Sequence, residues 1–297
     1  MATEAKGEGT MGRGPERPLR NGWVLPGIAI ALLAAMATGC SSSSGSTSAS
    51  ASPSTAASAS GSTGGSANRA TGASAPSAST LAPIHGRYSP KIEPSNFVTT
   101  IDNPYFPLEP GTTFLYKGVH ENGRTPQTDE MVVTHRTKEI LGVRSVVVRD
   151  TVSSYGKPIE RTFDWYAQDK YGNVWYMGED TREVRHGRFV KMSDSWEAGV
   201  DGAEPGIIMP GDPKPGAAYR QEYYPHHALD QARVLGSGGP VEVPYGTYHK
   251  TLLTVETSPR IDPGVAEDKY YVAGVGDVKE DTVSGNHEEI ELVRVTH

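Results

Sequence analysis

The chain has 297 residues, of which 28 are basic, 35 are acidic and one is a cysteine. Its formal net charge of −7 makes it a poor candidate for binding nucleic acid or anionic lipid headgroups, because both carry negative charge themselves. Cys40 is the single cysteine, so an internal disulfide and a structural zinc site built on cysteines are excluded.

Residues 1–39 have the pattern of a secretion signal. Basic side chains occur in the first 20 positions, and an apolar stretch follows from Trp23 to Met36. A stretch of this length is typical of a signal peptide and is shorter than the roughly 20 apolar residues that cross a membrane as a helix. We therefore expect residues 1–39 to be removed on export. The alternative is that they remain attached as an N-terminal anchor.

The apolar stretch is followed by Ala37, Thr38, Gly39 and Cys40. This tetrapeptide resembles the lipobox of bacterial lipoproteins, although Ala37 stands where that family usually has leucine. The resemblance implies that Cys40 is the lipidation site: it carries covalent diacylglycerol and becomes the N-terminal residue of a protein held at the extracytoplasmic face of the cell membrane. The sequence predicts no other cofactor, and the membrane is its first predicted partner.

Residues 40–80 have the composition of a tether. They are almost entirely Ser, Ala, Gly and Thr, with Arg69 as their only charged residue. Such a segment buries too little apolar surface to offset its conformational entropy, so we expect a disordered linker with an end-to-end distance of roughly 35 Å. Residues 81–297 are long enough to form one domain with a substantial core.

The sequence of this domain alternates apolar and polar side chains with a period of two far more often than with a helical period. Over residues 160–167, for example, Phe163, Trp165 and Ala167 share one face. Turn sequences that contain glycine separate such stretches, as antiparallel hairpins require. We predict an all-β domain, an antiparallel meander that forms a barrel, half-barrel or sandwich.

Two segments depart from this pattern. Residues 228–235 are the one stretch that could form a short helix. Residues 195–212 are rich in glycine, proline and acidic side chains, so we expect a long irregular loop there. Loops of this length often bind ligands.

Four segments rich in aromatic residues and glycine stand out, at 103–116, 164–179, 195–210 and 270–278. In this order they resemble a family of uncharacterised secreted proteins of high-GC Gram-positive bacteria. The resemblance covers nearly all of residues 95–297 and implies an exported location. It implies no activity and no catalytic residue.

The second of these segments predicts a hairpin. Asp169 and Gly172 suit its turn, so the strand around Trp165 comes opposite the strand around Trp175. We expect the tryptophans to be core residues, because aromatic side chains mostly provide buried area. The alternate face carries two tyrosines and two carboxylates that could line a ligand groove: Asp164, Tyr166, Tyr176 and Glu179.

A candidate metal site lies further along the chain. Its possible ligands are Glu222, His226, His227 and Asp230, and His226 and Asp230 would share a face if residues 226–234 were helical. No His-Glu-x-x-His motif accompanies them. A surface position for the two adjacent histidines is the alternative.

No motif in the chain fixes an activity. There is no Gly-x-Ser-x-Gly nucleophile elbow and no phosphate-binding glycine loop. Curved sheets with aromatic inner faces commonly enclose ligands, so we expect a non-catalytic domain that binds a small apolar or glycan ligand or an envelope protein. The alternative is an envelope hydrolase that uses the carboxylates of Asp164, Glu179 and Glu197, or a His/Asp metal site.

Overall fold

The computed structural model describes residues 76–120 and 122–297. The predicted signal peptide, the lipidation site Cys40 and most of the predicted linker lie outside these residues, and they remain predictions. Within the described ranges no helix is long and apolar enough to cross a membrane. The folded part begins before residue 81, because the short helix α1, Ala78–Leu81, packs on the sheet and buries Ala78.

Strands form nearly all of the regular structure. Besides α1, the described residues include one short 3₁₀ helix, Pro94–Asn96. The first nine strands are β1 (Thr113–His120), β2 (Thr125–Ile140), β3 (Val143–Ser154), β4 (Lys157–Gln168), β5 (Val174–Glu179), β6 (Arg182–Arg185), β7 (Arg188–Lys191), β8 (Trp196–Glu197) and β9 (Glu204–Met209). The next nine are β10 (Ala218–Arg220), β11 (Glu222–Tyr223), β12 (Gln231–Ser237), β13 (Val241–Val243), β14 (Gly246–Tyr248), β15 (Leu252–Ser258), β16 (Asp262–Val272), β17 (Gly276–Ser284) and β18 (Glu289–Thr296).

One sheet contains all of these strands except the hairpin of β13 and β14. Its main path runs β10-β12-β15-β16-β17-β18-β1-β2-β3-β4-β5-β9-β11. Every pairing along this path is antiparallel. Strands β6 and β7 extend the sheet beside β4, and β8 pairs with β5. The first and last strands, β1 and β18, lie side by side in the middle of the path.

The two ends of this path are close together. Strand β10, at one end, pairs with β12, and strand β11, at the other end, pairs with β9. Only Gln221 separates β10 from β11 along the chain. The backbone of β9 approaches this segment so closely that a Cβ atom on Gly206 would collide with the Gln221 carbonyl oxygen. The sheet is therefore a nearly closed barrel, and the predicted all-β, antiparallel fold class is confirmed.

Strand β4 shows how the barrel wall divides its side chains, because alternate residues of a strand face opposite sides of the sheet. The inward residues are buried and mostly polar: Glu160, Thr162, Asp164 and Tyr166. The outward residues are Arg161, Phe163 and Trp165. The inner side of this strand is thus the more polar of its two sides.

The predicted hairpin between β4 and β5 is present. Gly172 has a φ of 85°, a left-handed conformation that glycine adopts without steric cost. Asp169 Oδ1 accepts hydrogen bonds from the backbone amides of Tyr171 and Asn173, at 2.9 and 3.0 Å. Across the two strands Tyr166 pairs with Tyr176. The turn therefore sets the register that the sequence predicts.

Apolar side chains of the segment before β1 pack on the inner side of the barrel wall. Phe106 and Leu108 lie on the segment that precedes β1, and Phe114 and Met131 belong to β1 and β2; all four are buried. The ring of Phe106 meets that of Tyr166 edge-on, with centroids 5.3 Å apart. The segment before β1 thus covers the inner aromatic residues.

The helix suggested for residues 228–235 is wrong. Residues 231–235 belong to strand β12, whose Ala232 and Val234 are buried on alternate positions. Strand β12 is hydrogen-bonded to β10 on one side and β15 on the other. These pairings outweigh the weak helical propensity of so short a segment.

The loop expected for residues 195–212 is wrong in its second half. Strand β9 runs through it and is almost fully buried, because it lies between β5 and β11. Its apolar residues are Ile207, Ile208 and Met209. Gly206 suits this position because the neighbouring backbone leaves no room for a side chain.

Candidate functional site

The structure brings the four predicted ligand-binding residues together, but inside the barrel. The Tyr176 hydroxyl lies 2.6 Å from Asp164 Oδ1 and 2.9 Å from Glu179 Oε2. The ring of Tyr166 stacks on the ring of Tyr176, with centroids 4.9 Å apart. Both tyrosines are buried, with 1% and 0% exposure. The four residues form an internal network rather than a groove that is open to solvent.

A tyrosine hydroxyl has one proton, so it cannot donate to both carboxyl groups. Burial raises the pKa of Asp164 to about 7. Burial, followed by the negative charges of Asp194 and Asp164, raises the pKa of Glu179 well above its usual value. Glu179 is therefore the protonated partner: its carboxyl O–H donates to Tyr176, which in turn donates to Asp164.

This network is part of a larger set of carboxylic acids that are buried within the barrel. We call this set the acidic interior. It consists of Asp129, Asp150, Glu160, Asp164, Glu179, Asp194, Glu222, Asp230, Glu256, Glu267, Asp277, Glu280 and Glu288. Burial raises the pKa of Asp129 to about 6 and that of Glu267 to about 8. Many of these groups therefore hold a proton at neutral pH.

A single ammonium group lies among these acids. Lys269 Nζ is 3.1 Å from Glu256 and 3.4 Å from Glu280. Burial alone would lower the pKa of Lys269, but the carboxylates around it raise its pKa well above the usual value. One positive charge cannot balance the whole set, so protonation of carboxyl groups neutralises most of the acidic interior.

The carboxylates proposed for hydrolysis do not converge on an open space. A glycoside hydrolase needs room for its substrate between two carboxyl groups. The Tyr176 hydroxyl occupies the space between Asp164 and Glu179. Glu197 is separate from both, since it is partly exposed and accepts a hydrogen bond from Lys138 at 2.7 Å. The arrangement supports a structural role for Asp164 and Glu179.

The predicted metal ligands are also divided between two environments. Glu222 and Asp230 are buried, and burial followed by their mutual repulsion raises the pKa of Glu222. His226 is exposed, and His227 stacks on Tyr224 with ring centroids 4.4 Å apart. Among the residues that the structure describes, no three His, Cys, Asp or Glu side chains are grouped to hold a metal ion.

The acidic interior changes what the net charge implies about the surface. The described residues include 31 acidic and 23 basic side chains. Of these, 14 acidic and two basic side chains are buried, which leaves 17 acidic and 21 basic side chains outside the core. The surface is therefore slightly basic, and the negative net charge of the sequence does not describe what a partner meets. The predicted absence of nucleic-acid binding loses this support and remains a prediction.

A cleft on the outer face of the barrel combines aromatic and basic side chains. We call it the outer cleft; it has a volume of about 340 Å³ and is lined by Arg136, Thr137, Lys138, Val147, Phe163, Trp165 and Asp180. A large bulge in β2 forms one side of it, because residues 134–136 stand opposite Val147 alone. Bulges of this kind re-aim side chains and are common beside binding sites.

The bulge places two cations over the aromatic floor of the cleft. Lys138 Nζ lies 3.4 Å from the centroid of the Trp165 ring, and the Arg136 guanidinium lies 5.9 Å from that of Phe163. These are cation–π contacts. Glu197 holds Lys138 in place through the hydrogen bond described above. The cleft thus combines the aromatic ring of Phe163 with charged side chains, and Lys138 covers the face of Trp165.

This cleft was not predicted from the sequence. The alternation of side chains places Phe163 and Trp165 correctly on one face of β4, and Trp165 is buried as expected. The same alternation does not indicate that this face is the outside of the barrel. The bulge that brings Arg136 and Lys138 over the rings has no clear signal in the sequence, because it depends on how β2 and β3 are paired.

Comparison with known proteins gives limited information. No protein-family model and no curated protein sequence match the chain. A crystal structure of a protein from Bacteroides fragilis, proposed to be exported and described as having a YmcC-like fold, has a TM-score of 0.36 and 13% identity, covering 65% of this chain and 99% of that one. A proposed lipoprotein of Parabacteroides distasonis has a TM-score of 0.34 and 11% identity, covering 65% of this chain and 98% of that one.

TM-scores this low do not show a common fold, so the function of this chain is argued from its own residues. The resemblance to secreted proteins of high-GC Gram-positive bacteria has no family match behind it and remains a prediction.

Proposed function

We propose that the protein is a lipid-anchored extracytoplasmic lipoprotein that binds a glycan, without catalysis, in the outer cleft. One observation carries this proposal: the outward rings of Phe163 and Trp165 form a floor beneath the side chains of Arg136 and Lys138. The site differs from the one expected from the sequence, since Tyr166 and Tyr176 are enclosed in the barrel.

The size and chemistry of the cleft support a glycan. Ligand pockets typically measure about 300–1,000 Å³ and combine apolar surface with a few polar groups. Sugar rings have apolar faces that stack on aromatic side chains and hydroxyl groups that need hydrogen-bond partners at the rim. Thr137, Lys138 and Asp180 can supply those partners. A purely apolar ligand would leave these polar groups without partners.

The predicted anchor and linker fit this role. A tether with an end-to-end distance of roughly 35 Å would let the domain reach glycans near the membrane without leaving it. The lipid on Cys40 would supply membrane attachment, so the outer cleft remains available for the glycan.

Isothermal titration calorimetry of the full chain in detergent tests the proposal. The probes are hexasaccharides of glucose, N-acetylglucosamine and galacturonic acid. We expect at least one to bind, and Phe163→Ala to weaken that binding about fivefold or more, because stacking on an aromatic ring contributes roughly 1 kcal/mol or more. Tyr155→Ala is the matched control, since Tyr155 is 73% exposed and does not line the cleft.

Three results would contradict the proposal. The first is that no hexasaccharide binds. The second is that Phe163→Ala, shown to be folded by its melting curve, binds as well as the unaltered chain. The third is that the bound oligosaccharide is cleaved, which mass spectrometry of the mixture would detect and which would favour the envelope hydrolase.

A further inference from the structure

We infer that the ligand of the outer cleft is an anionic glycan, a polysaccharide with carboxylate or phosphate groups spaced along its length. This inference rests on the proposed function and adds that the ligand is negatively charged and that it runs along strand β4. It starts from the arrangement of side chains along β4.

The outward side chains of β4 form a stripe that leads out of the cleft. Trp165, Phe163 and Arg161 follow each other at intervals of about 6.6 Å, the distance between alternate residues of a strand. Beyond Phe163, the Arg161 guanidinium lies 4.3 Å from the centroid of the Phe189 ring on β7. A linear ligand that follows this stripe would pass from two aromatic rings to a cation.

Basic residues border the stripe on both sides. Arg136 and Lys138 lie on the β2 side, and the hairpin of β6 and β7 lies on the other, where β6 pairs with β4. That hairpin adds two basic side chains on the same outward face, Arg182 and Lys191, which are directly opposite each other. Because side chains alternate along a strand, Arg185 and Arg188 lie on the other face of the hairpin. Such pairs of like charge are unfavourable unless counter-charges are close.

Only some of this positive charge is neutralised by the protein. On the outward face, Asp180 pairs with Arg182 at 2.8 Å and with Lys191 at 3.9 Å. In the described part of the chain, no ion pair involves the two other arginines of this face, Arg136 and Arg161.

Arg161 is the cation of the stripe that the protein satisfies least. Among the described residues it has no acidic partner, and its Nε atom, which the protein encloses, has no hydrogen-bond partner there either. The charge of its guanidinium is therefore left for a group outside the fold.

The acidic residues in the same region restrict the kind of anion. Asp180 and Glu197 stand among the basic side chains and would repel a continuous array of phosphates. A nucleic acid or an anionic bilayer presents such an array. A glycan with charges separated by sugar rings can place its anions at the cations and an apolar ring face on Phe163.

A substitution of Glu197 tests the inference, because it is expected to strengthen binding of the ligand rather than weaken it. A ligand carboxylate at Lys138 would compete with Glu197, which now accepts its hydrogen bond at 2.7 Å. Glu197→Gln removes the competing charge while keeping a side chain of similar size. We therefore expect this substitution to strengthen the binding of an anionic glycan, whereas Arg136→Gln and Arg161→Gln should each weaken it about tenfold, as charge-assisted hydrogen bonds are lost.

The experiment is isothermal titration calorimetry on the full chain in detergent. The probes are hexasaccharides of galacturonic acid and of hyaluronan, each compared with its methyl-esterified form, which has the same backbone without the charge. We expect the charged form to bind about tenfold more tightly and to lose this advantage at high salt. Lys117→Gln is the matched control, because it removes an exposed positive charge on β1 away from the cleft.

The outcomes separate the two proposals. If charged and esterified forms bind equally and Glu197→Gln changes neither, the present inference is overturned while the proposed glycan binding stands. If neither form binds, nor any neutral hexasaccharide, both are overturned. If only vesicles of phosphatidylglycerol bind, and Arg136→Gln and Arg161→Gln weaken that binding, the surface contacts the membrane instead and the inference is again overturned.

Discussion

The inside of the barrel and the outer face of β4 use charge in opposite ways. Inside, carboxylic acids stand close together with Lys269 as their ammonium partner, and protonation neutralises most of them. Outside, cations lie over aromatic rings and several have no acidic partner. The interior therefore neutralises its charges within the fold, whereas the outer face leaves cations that a ligand can neutralise.

The largest effect on the free energy of unfolding is expected when two lysines are replaced in turn, because each contacts two glutamates but only one of the lysines is buried. Lys269→Met should lower the free energy of unfolding by about 3–5 kcal/mol, because it leaves Glu256 and Glu280 buried without a cation. Lys279→Met is the matched control: Lys279 pairs with Glu289 and Glu291 near the surface, where such pairs contribute less than about 1 kcal/mol. Urea denaturation measures both values.

Equal losses for the two lysine variants would contradict this view of the interior. The loss for Lys269→Met should also be smaller at pH 5 than at pH 8, since burial raises the pKa of Glu280 and favours its protonation at the lower pH.

The second effect concerns pH. The folded protein holds the pKa of Asp129 at about 6, that of Asp164 at about 7 and that of Glu267 at about 8, all above the values of exposed carboxyl groups. A carboxyl group with a raised pKa binds its proton more tightly in the folded state. The stability that this proton gives the folded state is complete below about pH 4 and is lost as the pH rises through the folded pKa.

We therefore expect the free energy of unfolding to fall by several kcal/mol between about pH 5 and pH 8.5. Melting curves across this range would measure the change. Asp164→Asn should make the dependence shallower, because it replaces one titrating group with a neutral one. A stability that increases with pH over this range would show that the interior is ionised and balanced in some other way.

The third effect separates the two stacked tyrosines. Tyr176→Phe removes the hydroxyl between Asp164 and Glu179 and should cost about 1–3 kcal/mol, since it leaves two buried carboxyl groups without their partner. Tyr166→Phe keeps the stacked ring pair and should cost less. Urea denaturation compares them, and a greater loss for Tyr166→Phe would be inconsistent with the proposed proton arrangement.

The smallest effect is expected on the outer face. Lys138→Met removes one cation from the Trp165 ring and from Glu197, and should change the free energy of unfolding by only about 0.5–1 kcal/mol. Tryptophan fluorescence should shift, because the environment of the Trp165 ring changes. A loss as large as that of Lys269→Met would mean that Lys138 serves the fold rather than a ligand.

The sequence predicted the fold class because its main signal, alternation of side chains with turns that contain glycine, is local. The hairpin at Asp169 and Gly172 is an example, since the turn chemistry determines the pairing of Tyr166 with Tyr176. Strand β9 was missed because burial between β5 and β11 stabilises it, and its own composition resembles a loop.

Less of the candidate site could be predicted from the sequence, because the alternation of apolar and polar side chains does not show which face of a strand is inside. The usual expectation assigns Phe163 and Trp165 to the interior and Asp164 to the surface. Here the interior accepts Asp164 because Tyr176 and the neighbouring acids share protons with it. This sharing of protons depends on residues from many strands, and the pattern of a single strand does not reveal it.

The pairing of β1 with β18 has a consequence for how this chain completes its fold. Strand β1 lies between β2, its neighbour in sequence, and β18, which is formed by the last residues of the domain. A chain that lacked β18 would leave β1 and β17 with unpaired edges, and water would enter between them. Water would let the buried acids ionise and repel one another. The barrel therefore links its own stability to the presence of β18, and a chain that ended before this strand should be open, hydrated and readily degraded.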